Sequence, residues 1–249
     1  MSDAVITLSG VSKRFGSNQV LDHADLSIRP AEVVAVLGAS GSGKSVTLKT
    51  INGLIPADEG EVMVLGQPVH DTAERDLIPL RRRVSYLFQG GALFDSMTVF
   101  QNIAFPLREH FLDLGEDELR DRVARLLGMV RLDGVEELSP SELSGGMRKR
   151  VALARALALE PEIILYDEPT TGLDPVTGQA IADLILDLDR RLGVTSVVVT
   201  HDIPLVLRVA ERVVFLEHGR FVFSGNLAEA QSDGPETVRR FFEAGVDHA

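Results

Sequence analysis

The 249-residue chain contains no cysteine. That absence excludes a disulfide framework, thiolate metal ligands and a cysteine nucleophile, and it suits a reducing compartment. Long apolar runs are also missing. The two longest, VVAVLG from Val33 and VTSVVVT from Val194, fall well short of the roughly 20 residues that cross a bilayer as a helix. They read instead as strands buried on both faces of a parallel sheet. The opening MSDAVITLSG has neither a basic n-region nor an apolar h-region, so no secretory signal is expected. Positive charge is scarce: 25 Lys and Arg against 37 Asp and Glu leave a net charge of −12. A broad electrostatic footprint for nucleic acid, or unaided adhesion to anionic lipid, is therefore not expected. Two short basic runs, Arg81-Arg82-Arg83 and Arg148-Lys149-Arg150, read as solvated helix faces. Repeats, low-complexity tracts and linkers are absent as well.

What is present is ample core material. Hydrophobic residues make up 45%, and the length fits one α/β domain or one carrying a sizeable insertion. Residues 4–30 alternate apolar and polar around a turn at Gly16-Ser17-Asn18, which predicts a small antiparallel layer. EVVAVLG (Glu32–Gly38) predicts a buried strand, followed by a glycine loop and a helix from about Lys44. From Thr98 to Leu159 the pattern is mostly helical. Leu119, Val123, Leu126, Leu127 and Val130 share one face behind an acidic first turn. PEIILYDEP predicts a second buried strand and VTSVVVT a third. Between them Ala180, Ile181, Leu184, Ile185, Leu188 and Leu192 form an amphipathic helix that Gly193 is placed to end. FLEHGRFVFSG predicts a closing hairpin around His218-Gly219. Strands alternating with helices imply a parallel core sheet, interrupted by an inserted helical subdomain.

GASGSGKS, from Gly38 through Ala39, Ser40, Gly41, Ser42, Gly43 and Lys44 to Ser45, satisfies the phosphate-binding pattern G-x-x-x-x-G-K-[ST] between a predicted strand and a predicted helix. Glycines let the backbone wrap phosphates with inward N–H groups, and the helix N-terminus adds partial positive charge. Lys44 is expected to reach the β- and γ-phosphates and Ser45 to ligate Mg²⁺. Such a loop needs an acid for the metal, and Asp167 at the end of ILYD supplies one. Glu168 follows, near where a γ-phosphate would lie, and can polarise the attacking water as general base. His201 ends the strand beside it, where it could bond the γ-phosphate. A second glycine loop, LSGGMRKR from Leu143, opens another helix. By physics alone it is either a structural turn or a cap for a nucleotide held by another molecule.

These motifs, in this order, resemble the nucleotide-binding subunit of ABC transporters, from about Ile6 to Asn226. LSGGM resembles that family's signature motif, lying downstream of a P-loop and shortly before ILYDEP. The resemblance implies an α/β P-loop NTPase with a RecA-like, mostly parallel core sheet, an N-terminal antiparallel β layer and an inserted α-helical signature subdomain. The whole chain, 1–249, would be one ATPase domain. Residues 1–88 and 160–249 would form the nucleotide-binding core and 89–159 the helical subdomain. Two copies would pair head to tail, with Ser144, Gly145 and Gly146 of each binding the ATP in the other's P-loop. Phe15, in KRFG, matches the aromatic that stacks on adenine, and Val46 falls in the nucleotide-binding stretch. Gln89, in LFQGG, matches the Q-loop glutamine that senses Mg²⁺. Asp174, in TGLDP, matches the D-loop, and His201 the switch histidine. Read without the resemblance, Phe15 is an ordinary half-buried aromatic and Gln89 a strand-end polar residue. Met147 stands where the family usually has glutamine, and Phe15 where tyrosine is commoner.

FQGGALFDSMTVFQNIAFPL (Phe88–Leu107), together with Met147, resembles more narrowly the ATPases of Mce-associated lipid transporters, the Mla phospholipid system and its relatives. Leu93, Phe94, Met97, Val99 and Phe100 would then form a groove for a permease helix, or else core of the helical subdomain. Implied partners are multi-span permease subunits, a Mce-type periplasmic protein and a small cytoplasmic accessory protein, with no nucleic acid. The implied place is peripheral, on the cytoplasmic face of the inner membrane. Two rival expectations are an importer ATPase for a small polar solute such as an amino acid, and a soluble ABC-type ATPase acting on DNA or ribosomes.

Overall fold

The computed structural model describes residues 4–246; the first three residues of the stretch read for a signal, and the last three of the chain, lie outside it. The chain opens with β1 (Ile6–Phe15) and β2 (Asn18–Ile28), antiparallel about the Gly16-Ser17 turn, with Phe15 opposite Asn18. β3 (Val33–Leu37) is buried at every position and runs through the glycine loop into α1 (Lys44–Ile51). β4 (Glu59–Val64) and β5 (Gln67–Pro68) return to pair on β1, giving a four-stranded antiparallel sheet ordered β2-β1-β4-β5. The sequence reading contained only the first half of this layer. EGEVMV is charged and glycine-containing, and only its pairing with β1, Ile6 against Val64, makes it a strand.

After α2 (Glu74–Arg83) and β6 (Val84–Leu87) come three helices: α3 (Val99–His110), α4 (Glu116–Met129) and α5 (Gly145–Leu157). Thr98 starts α3 with a capping box shared with Gln101. Leu119, Val123, Leu127 and Val130 are buried as the spacing predicts, with Leu126 packed at the edge of the same cluster. The chain then alternates β7 (Ile163–Asp167), α6 (Pro175–Leu192), β8 (Thr195–Val199), α7 (Ile203–Val209) and β9 (Arg212–Glu217). β10 (Arg220–Gly225) closes the expected hairpin on His218-Gly219, and α8 (Leu227–Ser232) and α9 (Glu236–Val246) finish the fold. Gly193 ends α6 in the left-handed conformation, with φ 63°.

The main sheet is ordered β10-β9-β3-β8-β7-β6 and is parallel except for β10. This is the mostly parallel α/β core that the motifs led us to expect. The strand preceding the glycine loop and the strand ending in Asp167 are separated by β8 alone, so all three C-terminal ends lie side by side. Strand alternation divides the core between the two faces. Val34, Val36, Ile163, Leu165, Val197 and Val199 face α1 and the antiparallel sheet, whereas Ile164, Tyr166 and Val198 face α3, α5 and α6.

Within the apolar stretch after Gln89, Val99 and Phe100 are core residues and Leu93 packs against that core. The exposed rings are Phe88, Phe94 and Phe105, which line a groove of about 420 Å³ with Arg81, Arg82 and Arg155. None of the described helices is long and apolar enough to cross a membrane.

Candidate functional site

The loop from Gly38 to Ser45 works because of where its glycines stand. Gly38 has φ 149°, and a Cβ there would lie 2.3 Å from the carbonyl oxygen of Leu216. Only glycine lets β3 turn so closely past β9. Lys44 Nζ donates to the carbonyls of Gly38 (2.8 Å) and Ala39 (3.0 Å), so the ammonium is held inside its own loop. Burial holds Lys44 below the usual lysine range, against the opposing pull of Glu168 and Asp167. The Ser42 amide donates to Ala39 O at 3.1 Å, while Ser42 Oγ is buried without a partner.

Alternation along β7 puts Ile163, Leu165 and Asp167 on the face covered by α1, where the first turn presents Ser45. Ser45 Oγ donates to Asp167 Oδ1 at 2.7 Å although 122 residues separate them in sequence. Tyr86, on β6, donates its hydroxyl to Asp167 Oδ2 at 2.8 Å. Burial, with Asp167 alongside, pushes the Tyr86 phenol well above the ordinary tyrosine value, so it stays a donor. Two hard oxygens, Ser45 Oγ and Asp167 Oδ1, suit Mg²⁺. Among the described residues no group of three or more His, Cys, Asp or Glu could hold a metal ion.

Glu168 leaves the strand in the left-handed region, with φ 51°, its amide donating to Val199 O at 2.9 Å. Backbone strain of this kind in a non-glycine residue clusters at functional sites. Its carboxylate is mostly buried and three groups hold it: His201 Nδ1 on Oε1 at 2.9 Å, and the Thr171 and Thr200 hydroxyls on Oε2 at 3.2 and 3.3 Å. Behind it, Lys149 is buried rather than solvated, which corrects the reading of its basic run. Its ammonium donates to the carbonyls of Gln89 and, at 3.3 Å, Glu168. A buried cation has to satisfy its donors, and two loop carbonyls do so here.

These groups surround a cleft of about 500 Å³. Phe15, Ser40, Gly41, Gly43, Lys44, Ser45, Val46, Gln89, Glu168 and His201 line it, and Phe15 is about half exposed. Ser144, Gly145, Gly146 and Asp174 do not line it. Ser144 Oγ instead caps α5 by accepting from the Met147 amide at 3.2 Å, and Asp174 caps α6 through the Thr177 amide at 3.0 Å. The two caps adjoin, since a Cβ on Gly146 would lie 2.5 Å from Thr177 Cγ2. Asp174 lines a second cleft that His201 shares. The sequence reading did not single out Tyr86, Lys149, Thr171 or Thr200. For Tyr86 the alternation of β6 was a usable signal, but its relevance depends on β6 lying beside β7.

The chemistry of these groups suits a polyphosphate, a divalent cation beside it and a carboxylate at its end. Comparison with known proteins gives the family. The family model described as ABC transporter matches residues 21–171. The chain is 40% identical over 243 residues to the intermembrane phospholipid transport system ATP-binding protein MlaF of Escherichia coli K12, covering 98% of this chain and 90% of that protein. It is also 40% identical over 236 residues to the probable ribonucleotide transport ATP-binding protein mkl of Mycobacterium tuberculosis H37Rv, covering 95% of this chain and 66% of that protein. Among solved structures, the ATP-binding cassette MJ0796, a dimer in a post-hydrolysis state bound to ADP and Pi, superposes with a TM-score of 0.82 at 35% identity over 89% of this chain and 98% of that one. The chain belongs to the ABC transporter family and is the ATP-hydrolysing subunit of such a transporter.

Proposed function

We propose that this subunit powers the movement of phospholipid, or another hydrophobic compound, between the inner membrane and a periplasmic Mce-type carrier. Support comes from its likeness to MlaF along nearly the whole of both chains. In this reading it sits peripherally on the cytoplasmic face, with residues 89–159 as a helical subdomain on a core of 1–88 and 160–249. The groove of Phe88, Phe94 and Phe105 receives a helix of the permease.

For the chemistry, the observation that carries the reading is the Glu168 carboxylate, held by His201, Thr171 and Thr200 beside the Ser45–Asp167 pair. Phe15 stacks on adenine, and Lys44 exchanges the Gly38 and Ala39 carbonyls for phosphate oxygens. Ser45 and Asp167, with Gln89 from the facing loop, would hold Mg²⁺, and the cation would neutralise charge on the phosphates. Glu168 takes a proton from water as the water oxygen bonds to the γ-phosphorus and the bond to the ADP oxygen breaks. His201, oriented through Nδ1, presents Nε2 to the γ-phosphate. Ser144, Gly145, Gly146 and Asp174, which lie outside the chain's own cleft, close over the ATP of a second copy.

The test is a gentle-detergent capture of the tagged subunit from its native membranes, with mass spectrometry of proteins and lipids. Co-purification of a multi-span permease, a single-span Mce protein and phospholipid is the expected result. A permease with a soluble solute-binding protein would replace lipid by a polar solute. Ribosomal proteins or DNA without a permease would overturn the assignment.

A further inference from the structure

The metal carboxylate has a supporter from outside the motifs. An aspartate's terminal torsion is broad, so its rotamer alone does not set the plane of the carboxylate. Hydrogen bonds to both oxygens do. Asp167 is nearly fully buried, with Oδ1 taking the Ser45 hydroxyl at 2.7 Å and Oδ2 the Tyr86 hydroxyl at 2.8 Å. The two donors come from different elements, α1 and β6, and so grip the carboxylate from either end. The Tyr86 ring is itself held: it packs against the core beneath α1 and lies 4.3 Å from the Phe88 ring, centroid to centroid.

We propose that Tyr86 is a positioning residue that aims Asp167 at the metal. The inference rests on the reading that Ser45 and Asp167 hold Mg²⁺. Ser45 Oγ serves the cation through its lone pairs as well as Oδ1 through its proton, whereas the Tyr86 hydroxyl has the carboxylate as its partner and fixes the plane from the Oδ2 side. Groups that orient a metal ligand in this way typically contribute 10- to 100-fold in metal affinity.

The experiment compares wild type with Tyr86→Phe, which keeps the ring and its packing. Calorimetric titration with a non-hydrolysable ATP analogue, in chelator and across a Mg²⁺ series, reads metal dependence without turnover. In chelator the two proteins are expected to bind alike, within about twofold. In Tyr86→Phe, the Mg²⁺ concentration giving half of the metal-dependent tightening is expected to rise about tenfold or more. ATPase activity should recover towards wild type at saturating Mg²⁺. A role confined to packing would lower the melting temperature or kcat and leave that midpoint in place, which would overturn the proposal. Phe88→Ala, which removes only the neighbouring ring, should move the midpoint the same way by a smaller factor, and so provides a second reading should Tyr86→Phe fold poorly. Wild type that binds identically with and without Mg²⁺ would overturn the metal reading and this proposal together. Wild type that tightens, matched by an unshifted Tyr86→Phe, would overturn this proposal alone.

Discussion

Asp189 is the buried acid farthest from ordinary behaviour. It sits on α6 with Oδ1 accepting from Ser196 Oγ at 2.7 Å and Oδ2 without a partner, near the hydroxyl of buried Tyr166. Burial raises its pKa to about 7; the Ser196 bond opposes that rise and negatively charged Glu211 adds to it. The folded state therefore holds a proton that the unfolded chain releases near 3.8. Its contribution to stability is fully present below that value and is lost as pH rises through about 7. We expect urea unfolding free energies measured from pH 5 to 8 to decline in wild type and to flatten over that span in Asp189→Asn. At about 1.4 kcal/mol per unit of pKa difference, the gap between the curves should change by a few kcal/mol. Parallel curves would show that Asp189 is not the group that titrates. Nothing in the sequence around LDLDRRLG distinguished this aspartate from Asp187, two residues earlier, which is on the surface and pairs with Arg191. Helix phase places Asp189 beside buried Leu188, and only the packing of α6 on β8 turns that into burial.

Among elements, the contact between α5 and α6 joins two loops that the family resemblance treats separately. The signature glycines pack on the D-loop segment of the same chain, Gly145 towards Leu173 and Gly146 towards Thr177. Thr177 cannot yield freely, because its Oγ1 is bonded to Asp174 at 2.6 Å. Gly146→Ala is therefore expected to cost about 1–3 kcal/mol through overpacking. That should appear as a fall in melting temperature of roughly 2–4 °C per kcal/mol and as reduced ATPase activity. Thr177→Ala in the same chain removes the obstructing methyl, so the pair should be less destabilised than the sum of the single changes. Strict additivity would show that the contact is not what Gly146 is needed for. That Ser144 and Asp174 cap these two helices, and that the two caps adjoin, emerges only from the folded chain.

For the whole molecule, the signature loop lies outside the cleft that its own chain builds, and in the proposed function it closes over the ATP of a second copy. Glu168→Gln preserves the shape of the side chain and removes its basicity. It is expected to bind ATP, to lose at least 100-fold in turnover, within the range attributed to general base catalysis, and to accumulate as a dimer. Size-exclusion chromatography with and without ATP, beside a steady-state ATPase assay, reads both outcomes. Wild-type turnover in that variant would remove Glu168 from the role of base. A net charge of −12 opposes association with anionic lipid by charge alone, and the groove of Phe88, Phe94 and Phe105 is the surface proposed above for the permease.

The amino-acid sequence by itself determined the phosphate loop, the buried strands, the helix starts and the stop at Gly193, because each depends on neighbours within a few residues. Backbone freedom at Gly38, alternation in IILYD and the stop at Gly193 are local properties of the chain. Tertiary structure alone decided which side chains meet. Ser45 reaches Asp167 across 122 residues, Tyr86 reaches it across 81, and His201 meets Glu168 across 33. Those meetings depend on the order β3-β8-β7-β6 and on the register within it. Order and register are selected by burying both faces of the sheet at once, and no short window of sequence carries that cooperative condition. The same condition buried Lys149 within a run that reads as a solvated face, and it divided a run that reads as groove or as core, leaving Phe94 exposed and burying Val99 and Phe100.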